Sequence, residues 1–223
     1  MIQVNQVDKF YGNHQVLNKI DFQAEQGQQI VIGGASGSGK STLLYLLGGL
    51  DRPSQGEIQV GDFNLTEFDD ESMAAYRNQQ VGFVFQFHFL LPSMTCEENA
   101  LLPAQIGQKN ISKVRKQVRE LADYLGVASE LKKYPFHLSG GQQQRINIVR
   151  ALSLSPSLLL CDEPTGNLDT DNSALVMDLL LDMAGKSGAT LIVVTHDPIV
   201  TKRFSGQYEM IDGKLEQRPP AFS

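Results

Sequence analysis

The 223-residue sequence has no long apolar run, only two cysteines and no excess of basic residues. No stretch approaches the ~20 apolar residues of a membrane-spanning helix, and we recognise no secretory signal peptide at the N-terminus. Cys96 and Cys161 match no metal-binding spacing, and Cys161 lies in an apolar run that is typical of a buried free thiol. We therefore expect a cytoplasmic protein without a cysteine-based metal site.

The charge distribution argues against nucleic acid as the main partner. The formal net charge is −6, whereas phosphate backbones favour clustered Lys and Arg. Apolar residues at steps of three and four predict an amphipathic helix over residues 111–125. Its basic residues lie largely off the apolar stripe, and we interpret them as a solvated face rather than a binding patch. These residues are Lys113, Arg115, Lys116 and Arg119.

Length and composition indicate one folded domain, or one domain with a lobe. Hydrophobic residues make up 41% and charged residues 20% of the chain, as in soluble globular proteins. We find no internal repeat and no low-complexity linker.

A glycine-rich turn at residues 34–42 carries the clearest chemical signal. It lies between an apolar run at 28–33, which predicts a buried strand, and a leucine-rich segment at 43–47, which predicts a helix. This context is the one that the phosphate-binding pattern G-x-x-x-x-G-K-[ST] requires, because glycines let backbone N–H groups converge on phosphate oxygens. Lys40 would reach the β- and γ-phosphates, and the Ser41 hydroxyl would ligate Mg²⁺. The predicted nucleotide-binding residues here are Gly34, Ser36, Gly37, Ser38, Gly39, Lys40, Ser41 and Thr42.

Polar residues follow three other predicted strands. Gln86 comes after residues 81–85, Asp162 and Glu163 after 158–161, and His196 after 190–194. In an open α/β sheet, ligands bind at the carboxyl ends of the strands. Asp162 can hold Mg²⁺ directly or through water, and Glu163 can orient and deprotonate an attacking water. The acidic pair taken alone is equally compatible with a cap on the next helix.

Tyr11 stands beside a glycine turn and has two interpretations. It could stack on a purine, or it could simply cover the edge of a sheet. The residues alone favour the packing interpretation, because aromatic side chains more often serve as packing surface.

The segment Leu138-Ser139-Gly140-Gly141-Gln142 makes a family resemblance specific. Together with the glycine-rich turn, Gln86, Asp162-Glu163, residues 167–169 and His196, it resembles the ATP-binding cassette (ABC) ATPases over nearly the whole chain. The resemblance implies an α/β fold: a P-loop NTPase (RecA-like) core with an antiparallel β subdomain and an inserted α-helical subdomain. We place the core and β subdomain at about residues 1–87 and 155–223, and the helical subdomain at about 88–154.

The resemblance also implies ATP hydrolysis with Mg²⁺ by a head-to-tail homodimer that holds two ATP molecules between its subunits. The catalytic residues that the resemblance implies are Glu163, His196 and Gln86. The residues that it implies for metal binding are Ser41, Gln86 and Asp162. Tyr11 becomes the adenine-stacking aromatic, which reverses the packing interpretation. The remaining implied nucleotide contacts are Val16 under the ribose or base, Ser139, Gly140, Gly141 and Gln142 toward the partner's ATP, and Asp169 across the interface. Two departures from the family pattern, Ala35 and Asn147, touch no group that performs chemistry.

Several stretches resemble one bacterial branch, the lipoprotein-release and macrolide-export ATPases. They lie at residues 47–51, 77–79, 82–92 and 164–169. This branch implies a membrane subunit with a periplasmic domain, a location on the cytoplasmic face of the inner membrane and no contact with the cargo. The alternative function is a regulatory ATPase of the cell-division type, which signals to cell-wall hydrolases without transport. An ABC ATPase of DNA repair or translation would need insertions or two cassettes that 223 residues do not hold.

The segment Phe87-His88-Phe89-Leu90-Leu91-Pro92 is unusually apolar for residues that leave a strand. We expect two of its four large apolar side chains to pack within the helical lobe. The others would line a groove for a short cytoplasmic helix of the membrane subunit, since exposed apolar patches often mark partner surfaces.

Overall fold

The computed structural model describes residues 1–219. The sequence predicts a frayed tail from Pro219, and residues 220–223 of that tail lie outside the described residues. The strands are β1 (Ile2–Tyr11), β2 (His14–Ala24), β3 (Gln29–Gly33), β4 (Gln55–Val60), β5 (Phe63–Asn64), β6 (Val81–Phe85), β7 (Leu158–Asp162), β8 (Thr190–Val194), β9 (Gly206–Ile211) and β10 (Lys214–Arg218). The helices are α1 (Lys40–Leu47), α2 (Asp70–Gln80), α3 (Cys96–Ile106), α4 (Ile111–Tyr124), α5 (Gly140–Leu152), α6 (Thr170–Ser187) and α7 (Pro198–Thr201).

Two sheets organise these elements. The strands β2, β1, β4 and β5 form an antiparallel sheet in that order. The second sheet has the order β10-β9-β3-β8-β7-β6 and is parallel from β9 to β6. Every residue of β7 and β8 is buried, which explains why both read as continuous apolar runs. The carboxyl ends of β3, β6, β7 and β8 therefore share one edge of the parallel sheet.

The first hairpin is longer than the sequence pattern predicts. The sequence pattern predicts strands over residues 2–7 and 19–24, with a glycine turn between them. Instead β1 and β2 pair as far as Tyr11 and His14, around a turn whose Gly12 has φ +59°. Register shifts along β1 break its alternation of apolar and polar residues, which hides the second half of the strand from a period-two pattern. Tyr11 is consequently held at the end of a strand.

The helices α3, α4 and α5 pack against one another and against one face of the parallel sheet. Their shared core includes Leu101, Val118 and Ile146, and it joins the sheet at Val84 and Leu159. The amphipathic helix predicted over 111–125 is confirmed as α4. In the described part of the chain, no helix combines the length and apolar character needed to cross a bilayer.

The apolar segment after β6 packs less than we expected. Only Leu90 lies against the core of the helical group. Phe87 and Phe89 are each 63% exposed and Leu91 is 40% exposed. The expectation that two of the four would be buried is therefore wrong. The aromatic rings stack along the surface, with Phe85 and Phe89 edge to face at 5.3 Å.

Candidate functional site

One cavity of about 720 Å³ lies at the carboxyl edge of the parallel sheet. The glycine-rich turn and the three polar strand ends meet there, as the strand order predicts. The residues that line it are Ala35, Ser36, Gly37, Gly39, Lys40, Ser41, Thr42, Gln86, Asp162, Glu163 and His196.

The glycine-rich turn can adopt its path only with glycine at key positions. Gly34 has φ +140°, and a Cβ there would lie 2.4 Å from the carbonyl oxygen of Met210. Gly39 has φ +109°, and a Cβ there would lie 2.8 Å from Leu17. The turn therefore presents bare backbone at the start of α1, which is the arrangement that binds phosphate.

The Lys40 side chain is buried inside this turn. Its Nζ donates to the carbonyl oxygens of Gly34 at 2.9 Å and Ala35 at 2.7 Å. The expectation that Ala35 touches no chemically active group is therefore wrong, because its backbone oxygen holds the Lys40 ammonium. Burial lowers the pKa of Lys40, while the nearby carboxylates of Glu163 and Asp162 oppose that shift. An anion that enters the turn would offer this ammonium better acceptors than two carbonyls, since hydrogen bonds between ionised groups are the stronger kind.

The Asp162 carboxylate is held on both oxygens by hydroxyl groups from one helix. Ser41 Oγ donates to Oδ1 at 2.9 Å, and Tyr45 Oη donates to Oδ2 at 2.9 Å. Hydroxyl and carboxylate oxygens are ligands that Mg²⁺ accepts, usually together with phosphate oxygens. Among residues 1–219, no three His, Cys, Asp or Glu side chains cluster as a metal cage. The donor set thus fits a cation that arrives with a phosphate ligand.

Glu163 is fixed by the residues that follow the neighbouring strand. The register of β7 and β8 places Asp162 beside Val194, so Glu163 lies against Thr195 and His196. Thr195 Oγ1 donates to Oε2 of Glu163 at 2.9 Å, and the His196 backbone N–H donates to Oε1 at 3.0 Å. Glu163 also has φ +46°, a left-handed conformation that costs energy in a non-glycine residue and recurs at functional sites.

The alternative in which the acidic pair caps the next helix is wrong. The cap of α6 is Asp169, whose side chain accepts from the Asn172 backbone N–H at 2.9 Å. Asp162 and Glu163 instead face the cavity.

Gln86 lines the cavity, but its amide is turned toward Asn167. Gln86 Nε2 lies 3.4 Å from Asn167 Oδ1, and Asn167 Nδ2 donates to the Gln86 carbonyl oxygen at 3.1 Å. Its contact with metal and water stays a prediction.

Gly34 and Ser38 belong to the glycine-rich turn but do not line the cavity. The predicted nucleotide contacts beyond this turn lie outside the cavity in two groups. In the first group, Ser139 and Gln142 cap the beginning of α5 reciprocally. The Gln142 backbone N–H donates to Ser139 Oγ at 3.3 Å, and the Ser139 backbone N–H donates to Gln142 Oε1 at 2.9 Å. The beginnings of α5 and α6 are close together, because a Cβ on Gly141 would lie 2.7 Å from Asn172 Oδ1. Ser139, Gly140, Gly141, Gln142 and Asp169 therefore form a second cluster at two helix N-termini.

The second group lies on the first hairpin. Tyr11 is 49% exposed and donates through Oη to Oδ2 of Asp51 at 2.6 Å. Lys9 Nζ donates to Oδ1 of the same carboxylate at 2.6 Å and stands 4.8 Å from the centroid of the Tyr11 ring. Val16 meets the phosphate turn, since a Cβ on Gly39 would lie 3.0 Å from its carbonyl oxygen. The first hairpin thus carries both residues, and Val16 lies directly against the glycine-rich turn.

Sequence reasoning missed Tyr45, Asp51 and Thr195. Tyr45 follows Ser41 by four residues, a spacing that puts both on one helix face and could have signalled a shared partner. Asp51 and Thr195 gave no comparable signal.

Comparisons with known proteins agree with this geometry. The sequence model of the ABC transporter family matches residues 17–166. The chain belongs to the ABC transporter family. The predicted fold class, ATPase activity and use of ATP with Mg²⁺ are confirmed. The roles of individual site residues stay predictions.

Curated relatives of this ABC protein include two lipoprotein-releasing system ATP-binding proteins named LolD. The protein from Cytophaga hutchinsonii is 40% identical over 215 residues, which are 96% of this chain and 98% of the relative. The protein from Geobacter metallireducens is 41% identical over 219 residues, covering 96% and 97%.

Solved structures of the same family superpose over the whole chain. The dimeric structure of MJ0796, described as a bacterial ABC transporter cassette, has a TM-score of 0.90 and 33% identity. A second MJ0796 structure, in a post-hydrolysis state bound to ADP and Pi, has a TM-score of 0.88 and 31% identity. Each match covers 100% of both chains.

Proposed function

We propose that this chain drives the release of lipoproteins from a bacterial inner membrane by hydrolysing ATP as a homodimer. The observation that carries the hydrolytic role is the Glu163 carboxylate, held by Thr195 and His196 beside Asp162 in the phosphate cavity. Lipoprotein release is supported by the names of the LolD relatives, which match along nearly their full length.

In the proposed mechanism, Glu163 is the general base. Its carboxylate takes a proton from water as the water oxygen bonds to the γ-phosphorus, and the bond from that phosphorus to the bridging oxygen breaks. The products are ADP and inorganic phosphate. Lys40 exchanges its two carbonyl partners for phosphate oxygens. His196, anchored through its backbone N–H to Glu163, reaches the γ-phosphate.

Ser41, Asp162 and Gln86 would hold the magnesium ion. When bound, Mg²⁺ neutralises charge on the β- and γ-phosphates. Ser41 and Asp162 are already hydrogen-bonded to each other at 2.9 Å, so the two oxygen donors face the phosphate turn together. To contact the ion, Gln86 would have to give up the hydrogen bond of its side chain to Asn167.

The second cluster, at the beginnings of α5 and α6, would complete the site of another copy. Helix geometry leaves the N–H groups of Gly140 and Gly141 without intrahelical partners, and a helix N-terminus favours an anion. Within one chain these groups lie outside the phosphate cavity. A head-to-tail dimer would bring them to the γ-phosphate held by the partner subunit, with Asp169 at the interface. The helical region from about 88 to 154 would form one inserted subdomain.

The exposed aromatic segment after Gln86 would dock the membrane subunit at the cytoplasmic face of the membrane. It adjoins a groove of about 440 Å³ lined in part by Phe83, Phe85 and Ile106. Arg150 of α5 donates to the carbonyl oxygens of His88 and Phe89 at 2.7 and 2.8 Å. A helix seated on these rings would thus push on both Gln86 and α5, and no cargo would touch this chain.

Depletion of the protein in its source bacterium tests the function. We expect lipoproteins to accumulate in the inner membrane, measured by membrane fractionation. Cells that fail to separate, with lipoproteins correctly localised, would instead support the regulatory cell-division role.

A further inference from the structure

Tyr45 is a residue of the site that belongs to none of the sequence motifs described above. Tyr45 stands one helical turn beyond Ser41 on α1, and a spacing of four residues places two side chains on the same face. Their hydroxyls donate to the two oxygens of the same carboxylate, each at 2.9 Å. One helix therefore donates a hydrogen bond to each carboxylate oxygen of Asp162.

The Tyr45 hydroxyl is a permanent donor at this position. A tyrosine hydroxyl carries one proton, and the acceptor of that proton here is Oδ2 of Asp162 at 2.9 Å. The ring is partly buried against the apolar core, and its centroid lies 6.5 Å from that of Phe85, the residue before Gln86. Packing thus fixes the direction from which the hydroxyl meets Asp162.

We propose that Tyr45 is a positioning residue for the cation: it fixes Oδ2 of Asp162, so that Oδ1 stays directed at Ser41 and the phosphate turn. Without this bond, the carboxylate can rotate about its Cβ–Cγ bond and draw the Ser41 hydroxyl out of place. Groups that orient metal ligands in this way commonly change metal affinity by roughly 10–100-fold when they are removed. The inference rests on the proposed assignment of Ser41 and Asp162 to the metal.

Cation binding can be measured without turnover. We would place Tyr45→Phe in a Glu163→Gln background, hold ATP below the concentration of binding sites so that free nucleotide does not capture the metal, and titrate Mn²⁺ by electron paramagnetic resonance. Tyr45→Phe removes one hydroxyl and keeps the packed ring. The dissociation constant for Mn²⁺ should rise about tenfold, while ATP affinity measured in chelator stays unchanged.

Tyr76→Phe is the matched control. Tyr76 is a buried tyrosine whose hydroxyl donates to the Leu47 carbonyl oxygen at 2.8 Å, at the far end of α1 from Ser41. It should lower the melting temperature and leave Mn²⁺ affinity unchanged. An equal loss of Mn²⁺ affinity in both variants would indicate general loosening of the helix and would overturn the proposal.

Asp162→Asn separates this inference from the proposed function. If Asp162→Asn weakens Mn²⁺ binding and Tyr45→Phe does not, Tyr45 is only a packing residue and this inference alone fails. If Asp162→Asn leaves Mn²⁺ binding unchanged, the metal assignment and the role of Tyr45 both fail.

Discussion

The carboxylate of Glu163 and the ring of His196 are direct neighbours, with Oε1 lying 2.7 Å from Nδ1. The same oxygen accepts the His196 backbone N–H at 3.0 Å, and Thr195 holds the other oxygen at 2.9 Å. The proposed general base is therefore restrained on both oxygens before any nucleotide arrives. Such preorganisation reduces the reorganisation needed at the moment of reaction.

Thr195→Val tests this restraint. The substitution keeps the shape of the side chain but removes the hydroxyl that donates to Glu163. We expect kcat to fall about tenfold, because hydrogen bonds to charged groups are worth more than neutral ones, while ATP affinity is unchanged. Thr201→Val is the control, since the Thr201 hydroxyl donates to the Asp197 carbonyl oxygen instead. Equal activity of Thr195→Val and wild type would show that Glu163 needs no such support.

The division between the phosphate cavity and the second cluster at α5 and α6 can be tested with two substitutions. Lys40→Ala should sharply weaken ATP binding to the monomer, because it removes a charged contact to phosphate. Ser139→Arg should leave monomer affinity near normal and still abolish hydrolysis, because the proposed target of Ser139 is the ATP held by the other copy. Nucleotide affinity and ATPase rate are measured for both. Equal loss of ATP binding would contradict two separate half-sites.

Asp51→Asn tests how Tyr11 is held. Burial alone would raise the pKa of Asp51, but hydrogen bonds from Lys9 and Tyr11 outweigh it and lower the pKa. The ionised carboxylate therefore stabilises the folded chain above the ordinary Asp pKa of about 4, and this contribution is lost as the pH falls through the lowered value.

At pH 7 the bonds of Asp51 are fully present, so the comparison is made there. We expect Asp51→Asn to raise KM for ATP about fivefold with little change in kcat, since stacking on Tyr11 serves ground state and transition state alike. Tyr11→Ala should produce the same pattern more strongly. An unchanged KM in Tyr11→Ala would show that the ring does not receive the adenine.

Phe87→Asp tests the docking surface. Phe87 is 63% exposed, so the substitution should leave the melting temperature nearly unchanged but block co-purification with the membrane subunit, because a carboxylate buried at the interface would be unpaired. Phe136→Asp is the control, with 65% exposure on a turn before α5. Leu90→Asp should unfold the helical group. Retained co-purification of Phe87→Asp would place the coupling surface elsewhere.

The sequence predicts the meeting of residues at the sheet edge where the chain encodes it locally. The phosphate turn is continuous in sequence. Asp162 ends one apolar strand and His196 follows another, and the parallel pairing of these strands brings their ends together. Contacts between distant elements were not visible. Tyr45 and Asp162 are 117 residues apart, and Tyr11 and Asp51 are 40 apart. No local sequence pattern predicts these contacts, because the contacts form only when the sheets and α1 pack together.

The sequence pattern also failed to predict the solvent exposure of the aromatic segment after Gln86. The run from Phe87 to Leu91 predicts burial, since apolar side chains usually leave water. The loop instead follows α5, where Arg150 holds two of its carbonyl oxygens and leaves the rings of Phe87 and Phe89 outside. That outcome depends on a half-buried guanidinium 61 residues away from Phe89.

Gel filtration of Glu163→Gln tests the central claim, that two copies enclose ATP and Glu163 initiates its hydrolysis. The glutamine keeps the shape of Glu163 but cannot take a proton, so hydrolysis should fall by roughly 10²–10⁴-fold while ATP still binds. The account predicts a dimer in the presence of ATP and Mg²⁺ and a monomer without nucleotide. A variant that hydrolyses ATP at the wild-type rate, or that binds ATP and remains monomeric, would contradict it.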